Sequence, residues 1–67
     1  MTDQEAELYF TALDWDRKAA CALLMADSCT DDERTRQYLD ERAECLHKAD
    51  QCRMEAARMQ VERMTRT

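Results

Sequence analysis

The cysteines and the single histidine are the residues of this chain best suited to chemistry. The 67 residues include four cysteines and one histidine, and the stretch AECLHKADQC, residues 43–52, places His47 between Cys45 and Cys52. Thiolates and imidazole are common ligands of zinc and copper, so this stretch first suggests a metal site. Whether these side chains can meet depends on the secondary structure that carries them.

Helical geometry would keep these three side chains apart. In a helix, Cys45 and Cys52 share one face but lie about 10.5 Å apart along the axis, whereas a zinc–sulfur bond is about 2.3 Å long. His47 lies about 200° around the helix from Cys45, and we expect it to pair on the surface with Glu44. We therefore expect structural thiols and no metal or cofactor. Thiols and methionines from different chains could still bind Cu(I), and this alternative stays open.

The composition predicts an all-α protein. The chain has no glycine, proline or isoleucine and a single valine, whereas alanine, leucine, methionine, glutamate, glutamine and arginine favour helices. Sixty-seven residues make one small domain, and with one serine and one histidine we expect no enzyme. No apolar run reaches the roughly 20 residues that span a bilayer, and no signal-peptide pattern is present, so we expect a cytoplasmic protein that is not in a membrane.

Two capping signals divide the chain into a helical hairpin. Thr2 with Glu5 and Thr30 with Glu33 both fit the capping box at the start of a helix. Polar turn-formers interrupt the pattern only at residues 26–29. We predict helix 1 at about 3–27 and helix 2 at about 31–64, antiparallel, in a single domain of residues 1–67. Residues 58–67 form a basic, Met-containing end that we expect to fray.

Apolar residues at alternating spacings of three and four predict the contact between the two helices. Alanines occupy many of these positions, so the seam is filled by small and soft side chains. The larger members of the predicted core seam are Leu8, Trp15, Tyr38, Cys45, Cys52 and Met59.

Helix 1 carries a second apolar sector that helix 2 cannot also cover. A seam of alanine and cysteine buries little apolar area, so we expect the hairpin to associate. It would complete a four-helix bundle by dimerisation or by docking on another protein. The predicted partner-binding residues are Tyr9, Phe10, Leu13, Asp14, Asp16, Arg17 and Leu24.

Charge is unevenly divided along the chain. Residues 1–33 hold nine acidic and two basic side chains, and residues 34–67 hold six acidic and eight basic ones. This division either favours the antiparallel pairing of the two helices or offers an acidic surface to a basic partner. The net charge of −5 makes direct nucleic-acid binding unexpected.

Three functions fit these features. The first is a non-enzymatic interaction protein, such as a regulator, inhibitor or chaperone-like adaptor, that binds a protein through the apolar and acidic face of helix 1. The second is an acidic nucleic-acid mimic that inhibits a nucleic-acid-binding protein, as phage-type anti-defence proteins do. The third is a Cys- and Met-rich bundle that binds metal between chains. We favour the first.

Overall fold

The protein is a hairpin of two long helices. A computed structural model describes residues 2–66 and contains α1 (Asp3–Ser28) and α2 (Asp32–Thr65), which pack against each other. The hairpin measures 56 × 15 × 10 Å, so it is a flat layer one helix thick. The all-α class and the hairpin are confirmed, and each helix boundary lies within one residue of its predicted position.

The two helices begin with side-chain caps, but only the first is the predicted one. The Thr2 hydroxyl accepts a hydrogen bond from the Glu5 amide at 3.2 Å. At α2 the N-cap is Asp31, whose carboxylate accepts from the Glu33 amide at 3.0 Å, so the prediction of a Thr30 cap is wrong by one residue. Aspartate combines a capping oxygen with a negative charge at the positive end of the helix dipole.

A chain without glycine reverses direction here with ordinary backbone angles. Cys29 leaves α1 in an extended conformation with φ −80° and ψ 140°, and its amide donates to the Ala26 carbonyl at 3.3 Å. Throughout residues 2–66 no backbone φ is positive. The connection is therefore only residues 29–31, and it holds the two helices close from their first shared turn.

Alanines form the core between the helices. The buried apolar residues are Ala12, Ala19, Ala22, Ala26, Ala49 and Ala56. Within residues 2–66 no large side chain is fully buried, and the predicted seam residues Leu8, Trp15, Tyr38, Cys45, Cys52 and Met59 are half-buried around the alanines. Small side chains allow the two backbones to approach closely, and this displaces bulky neighbours towards the two sides of the layer.

The second helix is the longer one. It has 34 residues against 26 in α1, and it remains helical through Thr65. The eight additional residues extend about 12 Å along the helix axis. Fraying of residues 58–67 stays a prediction, and Thr67 lies outside the described residues. Neither helix, over the described part of the chain, has the length and apolar character needed to cross a membrane.

The alanine seam predicts a strong asymmetry between two chemically equal substitutions. Ala49 has no exposed surface, so Ala49→Leu should force the helices apart and lower the free energy of unfolding by about 1–3 kcal/mol. Ala43→Leu, at an exposed position of the same helix, is the matched control and should change it little. Urea unfolding followed by far-UV circular dichroism measures both, and equal effects would contradict the seam.

Candidate interaction surface

Two ion pairs join acidic residues of α1 to basic residues of α2. Arg63 Nη1 lies 2.8 Å from Glu5 Oε1, and Arg53 forms a hydrogen-bonded ion pair with Asp16. Arg53 also pairs with Asp50 on its own helix at 3.4 Å. In both cross-helix pairs the acid comes from α1 and the base from α2. The uneven division of charge along the sequence thus gives ion pairs between the two helices of the hairpin.

Glu5 is the one buried charged residue of the described chain. It is only 3% exposed, and it occupies the position that continues the spacing of Leu8, Ala12 and Trp15 towards the amino terminus. Arg63, in the longer end of α2, reaches the Glu5 carboxylate and is itself half-exposed. The pair fastens that end of α2 to the first turn of α1. Sequence reasoning missed it, although the three-and-four spacing extends to Glu5.

Trp15 marks one side of the hairpin. The ammonium groups of Lys18 and Lys48 lie 4.3 Å and 4.5 Å from the centroid of its ring, so one indole contacts a cation from each helix. Lys48 is also 3.7 Å from the Glu44 carboxylate. The expected pairing of Glu44 with His47 is therefore wrong: Glu44 pairs with the residue at i+4, and His47 is exposed.

The side that contains Lys18 and Lys48 is polar, and we call it the polar side. Within each helix, a residue three, four or seven positions from the lysine lies on the same side of the helix as that lysine. The apolar exception among them is Met25, which is 50% exposed. The other residues of the polar side, besides the two lysines, are Glu7, Thr11, Asp14, Glu41, Glu44, Gln51 and Glu55.

The Asp16–Arg53 pair marks the opposite side, which we call the apolar side. The same spacing rule, applied to Asp16 on α1 and to Arg53 on α2, selects mainly apolar neighbours on α1, and on α2 it selects Leu46 and Ala57 together with the polar Asp50 and Gln60. The apolar residues of this side are Tyr9, Leu13, Ala20, Leu23 and Leu24 of α1 and Leu39, Leu46 and Ala57 of α2. Charged residues at its margins, besides the ion pair, are Asp27 of α1 and Arg42 and Asp50 of α2. Of the leucines, Leu13, Leu24 and Leu39 are 51%, 67% and 43% exposed. Both helices thus contribute to one continuous apolar surface.

The structure divides the predicted partner-binding residues into three groups. Tyr9, Leu13 and Leu24 lie on the apolar side, with Asp16 among them but already paired with Arg53. Phe10 is 68% exposed and, like the exposed Arg17 seven positions later, lies on the outer edge of α1, away from α2. Asp14 belongs to the polar side. That these seven residues bind a partner stays a prediction.

Sequence reasoning missed the contribution of α2 to the apolar side. Leu39, Leu46 and Arg53 recur every seven residues, and Ala57 follows one turn later. This second heptad pattern was readable in the sequence, but the stronger alanine and cysteine pattern of the same helix obscured it. Only the contact between Asp16 and Arg53 places it next to the second sector of α1.

The four cysteines are free thiols, of which Cys21 is exposed and Cys29, Cys45 and Cys52 are half-buried. Among residues 2–66 no three cysteine, histidine or carboxylate side chains converge as a metal site would require. A metal site shared between chains would draw its ligands from more than one hairpin.

Comparisons of the chain with protein-family models, with curated proteins and with solved structures found no match. The inference of function therefore depends on the geometry of the two sides.

The Glu5–Arg63 pair leads to a prediction about stability. Arg63→Met leaves the buried Glu5 carboxylate without its partner and should lower the free energy of unfolding by about 1–3 kcal/mol. The double variant Glu5→Leu with Arg63→Met should recover most of that loss, because two apolar side chains can replace a buried pair.

Chemical denaturation of the two single variants and the double variant gives the coupling energy directly. Arg58→Met, at an exposed position of the same helix, is the control and should be nearly neutral. If Arg63→Met were as mild as Arg58→Met, Arg63 would not fasten the end of α2.

Proposed function

We propose that this protein is a non-enzymatic interaction module, acting as a regulator, inhibitor or adaptor, whose apolar side packs against helices of a protein. The observation that carries the proposal is the exposure of the large apolar side chains Leu13, Leu24 and Leu39 on one side of a hairpin whose other side is polar. Single exposed apolar residues are ordinary on protein surfaces, but a contiguous patch is typical of a binding surface.

The energetics of the hairpin support association. Its fully buried apolar residues are all alanines, and an alanine contributes far less buried area than a leucine or an aromatic residue. Ordering a residue costs about 1.5 kcal/mol of conformational free energy. A surface that buries the leucines of the apolar side would supply the burial that the alanine seam lacks.

The pattern of the apolar side favours helices as the surface it meets. Its members follow each other at spacings of three, four and seven residues along both helices, which is the arrangement that packs into the grooves of other helices. A lipid surface fits less well, because the net charge of −5 opposes approach to anionic headgroups.

The other two functions have less support. Glu5 and Asp16 are tied to arginines and Asp31 caps α2, so several of the clustered acids that suggested nucleic-acid mimicry have roles within the hairpin. Metal binding would require ligands from more than one chain. An acidic mimic would lose its target steeply as salt rises, whereas apolar docking would not.

Site-specific photo-crosslinking in cells of the natural source tests the proposal. A benzophenone side chain placed at Leu13 or Leu46, on the apolar side, should form at least ten times more protein adduct than one at Gln51 on the polar side. Binding by apolar burial predicts this difference, because only groups within the interface lie in contact with the partner.

The mass of the adducts is read by denaturing electrophoresis and mass spectrometry. Equal labelling from Gln51 and Leu13 would contradict a defined binding side. Adducts formed only from Gln51 would show that the partner contacts the polar side, and they would reject the proposal.

A further inference from the structure

We propose that the surface that covers the apolar side is a second copy of this chain, arranged so that α1 of each protomer packs on α2 of the other. This inference rests on the proposed function, since it names the partner of the same surface. It gives a dimeric four-helix bundle with the apolar sides inside and the polar sides outside.

The shape of the apolar side suits its own copy. It lies on one face of a flat layer that measures 56 × 15 × 10 Å. A whole face of this layer is comparable in size with the roughly 800 Å² that each partner contributes to a stable protein interface. Two such layers stacked face to face leave no apolar side uncovered.

Charge decides between the two symmetric ways of stacking. A twofold axis perpendicular to the helices and lying in the interface would place α1 on its own copy, whereas an axis parallel to the helices places α1 on the partner's α2. The first helix holds six acidic and two basic side chains, a net charge of −4. The second helix holds eight acidic and seven basic side chains, a net charge of −1. Two α1 helices in contact would repel each other.

The charges on the apolar side itself favour the same choice. On α1 they are acidic, with Asp16 in the middle and Asp27 eleven positions on. On α2 the half-buried Arg53 lies on this side, with Arg42 eleven positions before it and one acid, Asp50, that pairs with Arg53; the charges of α2 on this side are therefore basic on balance. Rotation about an axis parallel to the helices leaves every residue at its own height, so each Asp16 finds the partner's Arg53 at the height where its own Arg53 already pairs with it.

The hairpin geometry also gives the register of the contact. Because the chain reverses at residues 29–31, backbone positions of α1 and α2 whose numbers add to about 60 lie at the same height, and the long Arg53 side chain reaches along the helix axis to Asp16. Leu13 and Leu46 satisfy this condition and both belong to the apolar side. In the proposed dimer each Leu13 therefore packs near the partner's Leu46, and the contact occurs twice.

Complementary charged variants test whether a second copy of the chain covers the apolar side and how the two copies are arranged. The unaltered chain, 7.9 kDa as a monomer, should sediment at twice that mass. Leu13→Glu alone and Leu46→Lys alone should each weaken the dimer about 100-fold, because each inserts two unpaired charges into the interface. An equimolar mixture of the two should recover dimer, since one contact becomes Glu with Lys and the other stays Leu with Leu.

The controls are Met25→Glu and Gln51→Lys, which introduce the same two charged side chains on the polar side and should leave the mass at the dimer value. Should either interface variant unfold as a monomer, the mixture still decides, because it should recover helical circular dichroism together with the dimer mass.

Two results would overturn the inference. A monomeric unaltered chain at 1 mM protein, on the order of the weakest specific affinities, would exclude a second copy. Photo-adducts from Leu13 to a different protein would then leave the proposed function standing, whereas no adducts from Leu13 or Leu46 would remove both. A dimer rescued by mixing Leu13→Glu with Leu13→Lys, but not with Leu46→Lys, would show α1 packed on α1.

Discussion

The close approach of the two helices across a seam of alanines is the constraint on which the rest of this structure depends. Ala12, Ala19, Ala49 and Ala56 are at most 2% exposed. Close packing of small residues contributes contacts but few buried methylenes. The hairpin is thus well defined in shape while its largest apolar residues remain on the two sides of the layer.

The side contacts give those two sides different characters. On one, an indole lies beneath two ammonium groups, and the neighbouring positions are carboxylates and amides. On the other, Arg53 pairs with Asp16 across the helices and with Asp50 on its own helix, and leucines lie around them. An ion pair of this kind contributes little to stability where water reaches it, but it aligns the two helices so that their second apolar patterns form one surface. The proposals for association follow from that alignment.

The ends of the hairpin are held by different means. Near residue 30 the short connection and the Asp31 cap keep the helices together. At the other end no covalent link exists, and Arg63 reaches from the longer helix to the buried Glu5. A charge buried at this position is costly unless it is paired, so the pair gives that open end a defined register.

The sequence by itself determined the helical class, the hairpin, both helix boundaries to within one residue and the alanine seam, because these depend on local propensity, capping and periodicity along one chain. It placed the α2 cap one residue too early, since Thr30 and Asp31 are both good caps and their neighbours do not distinguish them. It also grouped Phe10, Asp14 and Leu13 as one binding face. Only the tertiary structure showed which side of the hairpin each of them occupies, and that Leu39 and Leu46 complete the surface of Leu13. The physical reason is that a helical pattern gives angles within one helix, whereas the rotation of one helix relative to the other is decided by contacts such as those of Asp16 with Arg53 and of Trp15 with Lys48.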